Sequence, residues 1–365
     1  MRTAMRKGLG VAAGAGLGLA LVPALLVPAA TTSVSPAATQ TYTGPSATAM
    51  RQMALVVDAG PTTFPTVLSR GQSAMSRFTT VLSSRLGPAV KVTRPAGMWS
   101  GHQVVVMWFS HTAVRLSQHP GVRTRYSHVF DPGASSHWTT PPTLSRINPW
   151  QVGLAATFNG GFKVTNGDSR GGYWDSGYGI NARAVVTADP TGRRTLTNGA
   201  ESLVIYKNGS WTIGTWNAEV RMTPAVRFVR QELAPLVDRS AINPLTRTSS
   251  CQTYWGKTIG GTCVPWRSGI GITATGDLVY VAGNHLSAYQ LALALRQAGA
   301  VRAMQLDINT QWLSAIYYNS AGAVRGVRAT PHVLVSPYYG ANRYIVGTAQ
   351  AGTASNRDFF AAYLR

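Results

Sequence analysis

Glu201–Trp216, ESLVIYKNGSWTIGTW, is two apolar runs joined by Asn208-Gly209. Asn-Gly is the favoured pair for a tight type I′ turn, whose two central residues both need positive φ. The stretch therefore reads as a β-hairpin, and it sets the expectation for its surroundings. Gly271–Gly283, GITATGDLVYVAG, reads as a second hairpin turning at Gly276-Asp277. Upstream, GHQVVVMWFS (Gly101–Ser110), AVRLSQHPG (Ala113–Gly121) and LAATF (Leu154–Phe158) read as strands, and turn residues recur at short intervals up to about residue 285.

Two segments carry a helical period instead. Ser287–Ala300, SAYQLALALRQAGA, has Ser287 as N-cap and Gly299 as C-terminal stop. Arg70–Gly87 places Met75, Phe78, Val81, Leu82 and Leu86 at helical spacing. Hairpins with inserted helices predict an α+β fold: a single mixed, β-sheet-rich catalytic domain. It would cover residues 100–340, after an N-terminal helical segment at 51–99 and before a C-terminal tail at 341–365.

The first thirty residues read as a secretory signal peptide. Arg2, Arg6 and Lys7 precede an unbroken apolar stretch, and Val27-Pro28-Ala29 and Ser35-Pro36-Ala37 offer small-residue cleavage sites. An uncleaved anchor is the alternative, since the run is long enough to span. Residues 31–50, rich in Thr, Ser, Ala and Pro, read as a disordered linker. No later segment is apolar enough to cross a bilayer. Export to an oxidising compartment makes Cys251 and Cys263 a disulfide, because a metal site needs further ligands and none stand nearby.

The chain has 33 basic and 12 acidic residues, a formal charge of +21, and arginine supplies most of it. Such a protein suits anionic cell-wall polymers, phospholipid head groups or phosphorylated glycans. An arginine-rich codon composition accounts for the same excess. No basic run interleaved with aromatics is present, so nucleic acid is not an expected partner. Without a G-x-S-x-G elbow or a P-loop, serine-hydrolase and nucleoside-triphosphate chemistry are not expected either.

Four motifs then occur in order: AATFNGGF (Ala155–Phe162), ESLVIYKNGSWTIG (Glu201–Gly214), WRSGIGITATGDLVYVAG (Trp266–Gly283) and LALALRQAGAVRAMQLDIN (Leu291–Asn309). Together they resemble the phosphodiester glycosidase family, over residues 100–340. The resemblance implies hydrolysis of the bond between an anomeric carbon and a phosphodiester oxygen. It carries over Asp307 and Arg267. One departure stands out: the family follows this Asp with a glycine-rich DGGGS segment, whereas here Asp307 is followed by INTQ.

A glycosyl phosphate already has a good leaving group, so the chemistry chiefly needs a carboxylate and cations for phosphate. Asp307, at the end of a buried strand, is the candidate nucleophile or water-activating carboxylate; a turn-capping Asp is the other reading. Arg267 is the candidate bidentate phosphate ligand, or else half of a surface ion pair. Glu201 or Glu219 supplies a second carboxylate. Asn159, Gly160 and Gly161 form a tight turn whose N–H groups suit an anion, or merely a turn that glycine permits. Asn309, His285, Trp312 and Trp174 are candidate substrate contacts; Trp174 lies with Tyr173, Asp175 and Tyr178 in a Gly/aromatic loop that suits a glycan. His102, His111, His119, His128 and His137 show no ligand spacing, so no zinc site is expected. Asp307 and Asn309 supply oxygens that suit calcium. The expectation is an exported hydrolase acting on glycosyl phosphodiesters or phosphorylated glycans, with no stable membrane insertion after signal cleavage. The alternative is a non-catalytic glycan- or phosphate-polymer-binding protein on the same fold.

Overall fold

The computed structural model describes residues 78–95, 103–119, 147, 151–162, 172–175, 180–183, 196–318, 329–335 and 357–365. The signal peptide at 1–30, the linker at 31–50, Met75, His102, His128, His137 and Tyr178 lie outside the described residues, as do the side chains of Tyr173, Trp174 and Asp175.

In chain order the strands begin with β1 (Thr79–Ser84), β2 (Gly87–Thr93), β3 (Val104–Phe109), β4 (Val114–His119), β5 (Leu154–Asn159) and β6 (Gly172–Asp175). There follow β7 (Ile180–Arg183), β8 (Glu201–Tyr206), β9 (Trp211–Thr215), β10 (Val226–Glu232), β11 (Val237–Asp238) and β12 (Ala241–Ile242). The last are β13 (Arg267–Thr273), β14 (Leu278–Gly283), β15 (Ala300–Gln305), β16 (Ala315–Tyr318), β17 (Pro331–Val335) and β18 (Phe359–Leu364). The two α-helices among the described residues are α1 (Cys251–Trp255) and α2 (Ala288–Gln297).

These strands form three antiparallel sheets. The first has eight strands in the order β1-β2-β3-β14-β13-β15-β11-β12. The second runs β7-β6-β10-β8-β9, and the third β17-β16-β5-β18-β4. Among the described residues strands hold 48% and helices 11%. The α+β expectation is thereby corrected: the fold is mostly β and sandwich-like, without a set of inserted helices.

The segment over 70–87 shows why the helical reading failed. Where it is described it forms β1, the turn Arg85-Leu86 and the start of β2. A register shift between Thr80 and Leu82 breaks the two-residue alternation. A bulge of this kind makes a strand's apolar residues mimic a helical period. The C-terminal end differs too. β18 pairs with both β5 and β4 inside the third sheet, so residues 359–364 belong to the core rather than to a tail.

The predicted hairpins are present as β8–β9 and β13–β14. Their turns are not the two-residue I′ type. In the first, Tyr206 N donates to Ser210 O (2.8 Å), and of the Asn-Gly pair only Gly209 takes a positive φ, +79°. The second repeats this, with Thr273 N to Asp277 O (2.8 Å) and Gly276 at +89°. Both are three-residue loops closed by a left-handed glycine.

The central strands of the first sheet are buried on both faces, which explains the continuous apolar run of β3. Val105, Met107 and Phe109 face the core shared with the other two sheets, while Val104 and Val106 face α2. Phe158 of β5 anchors the shared core, its ring 5.6 Å from Phe109, 4.9 Å from Tyr280 and 5.2 Å from Phe360. Leu203, Ile205 and Phe228 bring in the second sheet. Helix α2 starts at the predicted Ser287, which forms a capping box with Gln290. Its Leu291 and Leu295 press on β13 so closely that a Cβ on Gly269 would stand 2.9 Å from Leu295 Cδ1. No helix among the described residues is long and apolar enough to cross a membrane.

Candidate active site

Asp307 sits where the first sheet meets the other two. The β13–β15 ladder runs on past Gln305: Leu306 N donates to Ser268 O (2.8 Å), and Ser268 N and Oγ both donate to Asp307 O (3.0 Å each). The side chain is then turned inward, 3% exposed. Its Oδ1 accepts from Asn309 N (2.8 Å), and its Oδ2 is paired with the Arg357 guanidinium. Burial pushes its pKa up, and the positive charge of Arg357 opposes that push. Arg357 also donates to Gly161 O (2.8 Å) and stands over the Trp312 ring, 5.2 Å from its centre.

The third sheet contributes Asn159 at the end of β5. Its Nδ2 donates to Ser268 Oγ (2.9 Å) and Gly160 O (2.8 Å), and its Oδ1 accepts from Tyr280 Oη (2.6 Å) and Ser314 N (3.2 Å). Asn159 is thus a pin between sheets. The two glycines that follow serve space rather than backbone freedom, since neither has a positive φ. A Cβ on Gly160 would lie 2.3 Å from Asp358 Oδ2, and one on Gly161 would lie 1.6 Å from Glu232 Oε1. Only glycine lets two carboxyl groups come so close to the chain.

The second sheet supplies Arg230 and Glu232, two residues apart on β10 and so on one face. Arg230, fully buried, donates from Nε to Asp358 Oδ2 (2.8 Å), pairs through Nη1 with Glu232 Oε1 (3.0 Å), and reaches Phe162 O (2.5 Å). Gln118 of β4 donates to the same Asp358 oxygen (2.9 Å). Glu232 Oε1 also accepts from Phe162 N (2.8 Å), whereas its Oε2 is buried with no hydrogen-bond partner. Burial, opposed by Arg230 and reinforced by Asp358 and Asp307, pushes the Glu232 pKa up to about 8. Three carboxyl groups and two guanidiniums therefore meet around Asn159-Gly160-Gly161.

The other expected residues lie apart from this centre. His285 and Asn309 line one cavity of about 300 Å³, together with Trp266 and part of the loop between the cysteines. Cys251 and Cys263 are bonded, as expected. Arg267 is fully buried and engaged with backbone carbonyls and Gln305. Glu201 lies in a separate cluster, paired with Arg302 (2.5 and 2.8 Å), which also meets Glu219 and Asp238. Burial raises the Glu201 pKa to about 7. The stretch read as a Gly/aromatic loop is in part strand: β6 pairs along β10, with Tyr173 opposite Arg230 and Trp174 opposite Val229. Among the described residues no group of three or more His, Cys, Asp or Glu side chains is placed to hold a metal ion. A calcium ion at Asp307 would meet the like charge of Arg357, so this site does not suit one.

Sequence reading missed Arg230, Glu232, Arg357, Asp358 and Gln118. A signal existed for the first pair. VRFVRQE sets Arg230 and Glu232 two residues apart, hence on one strand face, directly after the apolar Phe228-Val229.

Fold and site together define a sheet-rich, sandwich-like protein with a buried carboxylate–arginine centre shared by three sheets. No family model matches the chain, and no curated protein does. Among solved structures it is similar to the catalytic domain of zebrafish N-acetylglucosamine-1-phosphodiester alpha-N-acetylglucosaminidase, auto-inhibited by its pro-peptide. Identity is 12% and the TM-score 0.39, over 79% of this chain and 88% of that one. A hypothetical protein from Synechocystis is similar at 12% identity and a TM-score of 0.33, over 77% of this chain and 63% of that one. Both likenesses are distant relations in fold.

Proposed function

We propose that the protein is an exported hydrolase that cleaves glycosyl phosphodiesters between the anomeric carbon and the phosphodiester oxygen. The observation that carries this reading is the Asp307–Arg357 pair, set beside a Glu232 that burial keeps protonated at neutral pH. The order of motifs in the sequence supports it, and the disulfide suits an oxidising compartment.

In this reading Asp307 attacks the anomeric carbon or takes a proton from the attacking water. The bond from anomeric carbon to phosphodiester oxygen breaks, and its electron pair leaves on the phosphate as a phosphomonoester. Water supplies the sugar hydroxyl, and its remaining proton passes through Asp307 to solvent. Arg357 holds Asp307 in place and balances its charge. Glu232, its pKa raised by burial, limits the negative charge next to Asp307.

The test is release of free sugar from a synthetic glycosyl 1-phosphodiester. Asp307→Asn should lower that rate by orders of magnitude; a variant with near wild-type turnover removes Asp307 from the chemistry. A second reading, a non-catalytic binder, is favoured by one observation: both Asp307 carboxylate oxygens are engaged. It predicts retention of the intact diester with no sugar released by the wild type.

A further inference from the structure

Arg267 holds something other than phosphate, and what it holds outlines a second site. Its Nε donates to Leu286 O (2.8 Å), its Nη1 to Gln305 Oε1 (2.6 Å) and Trp255 O (3.4 Å), and its Nη2 to Cys263 O (3.3 Å). Trp255 and Cys263 bound the loop that the disulfide closes, and Leu286 follows His285. One buried guanidinium thus braces, from behind, the walls of the cavity of about 300 Å³. That volume lies at the small end of the range for ligand sites.

The lining mixes basic and polar side chains with the apolar Val264, Pro265, Trp266 and Ile308. Lys257, Thr258 and Thr262 come from the disulfide loop, Trp266 from the approach to β13, and His285 from the turn before α2. His285 holds φ at +50°, in the left-handed region, a conformation that a residue other than glycine keeps only where its surroundings impose it. Here they do: Arg267 grips Leu286 O, and Leu286 N donates to Pro265 O (3.0 Å). Asn309 also lines it and donates its N–H to Asp307 Oδ1, which links the cavity wall to the candidate carboxylate.

We propose that this cavity is the subsite for the phosphomonoester side of the substrate, its phosphoryl oxygens held by Lys257 and His285 and its organic part lying against Trp266. The assignment rests on the glycosyl phosphodiester reading for the identity of the anion. Lys257 supplies a charge-assisted donor, and the His285 ring and the threonine hydroxyls supply further hydrogen-bond donors. The phosphate would then be seated beside Asn309, whose N–H is bonded to Asp307.

Glycerol 3-phosphate is the probe, because it has no glycosyl bond and is not consumed by the proposed reaction. It is titrated calorimetrically into the intact, disulfide-closed protein, with glycerol as the neutral control. Glycerol 3-phosphate should bind and glycerol should not. Lys257→Ala and His285→Asn should each weaken binding by about tenfold; asparagine is chosen because it tolerates left-handed backbone. Absence of binding, or binding that both variants leave unchanged, overturns the assignment. Sugar release is not read in this experiment. A failure of the hydrolysis reading would therefore appear as missing turnover with this binding intact, and a failure of the subsite as missing or insensitive binding.

Discussion

Gly161→Ala tests the packing of the centre with a single methyl group. The new Cβ would lie 1.6 Å from Glu232 Oε1 and 2.6 Å from Glu232 Cδ. Carbon and oxygen make close contact at about 3.3 Å, so the carboxyl group has to retreat by about 1.7 Å. Retreat breaks its bond from Phe162 N and its pair with Arg230. Overpacking and the lost polar contact together should cost about 3–5 kcal/mol. Urea unfolding measures this directly, and a second background gives it meaning. In Glu232→Ala the obstacle is gone, and the nearest known neighbour of the methyl is Arg230 Nη2, at 3.0 Å. The cost of Gly161→Ala should then fall to about 1 kcal/mol. If glycine were needed there for its backbone alone, the two backgrounds would give the same cost. A coupling smaller than about 0.5 kcal/mol between the two substitutions refutes the packing argument.

Reduction of Cys251–Cys263 should add two hydrogens to the intact mass and remove about 3 kcal/mol of stability; two free thiols in freshly isolated protein contradict the bond. Glu232 and Glu201, raised from 4.5 to about 8 and about 7, keep in the folded state protons that the unfolded chain has already released. Their contribution to stability is therefore complete below about pH 4.5 and is lost as pH rises through 7 to 8. Urea unfolding at pH 5 and pH 8.5 checks the sign, and Glu232→Gln should flatten the difference; an unchanged slope in that variant counts against a protonated Glu232. Arg267→Lys replaces a planar fork that serves four acceptors with a single ammonium, so the melting temperature should fall by several degrees. An unchanged melting temperature removes the bracing role.

The fold was legible where a local rule had one outcome. Ser287 with Gln290 three residues on is a capping box in sequence and in structure, and the two hairpins needed only apolar runs around a glycine. It was misread where two periods coincide, as at Phe78, Val81, Leu82 and Leu86, because a bulge shifts the phase of a strand and local pattern cannot show the pairing partner. The turn type was misread for a related reason. Asn208-Gly209 suits a two-residue turn, but the register of β8 and β9 closes the loop one residue later and leaves only Gly209 left-handed.

The site is a matter of long-range neighbours, and its most informative clue was the scarcity of acid. Of twelve acidic residues, Asp307, Asp358 and Glu232 gather around Arg230 and Arg357, and Glu201, Glu219 and Asp238 gather around Arg302. A chain with a formal charge of +21 thus commits half of its acids to two arginine clusters. Asp307 could be singled out because its strand announced it. Arg357 and Asp358 could not, since they stand 50 and 51 positions further on, before a strand whose partners lie more than 190 residues back. Their effect on function follows from charge. Two guanidiniums face three carboxyl groups, and burial pushes both Asp307 and Glu232 towards the protonated form. Ionisation of Glu232 adds a negative charge to a fully buried cluster and disfavours a second anion beside it. On the proposed hydrolase reading, the rise of Glu232 to about 8 predicts that turnover of an anionic substrate falls above that pH; a rate unchanged from pH 6 to 9 refutes it.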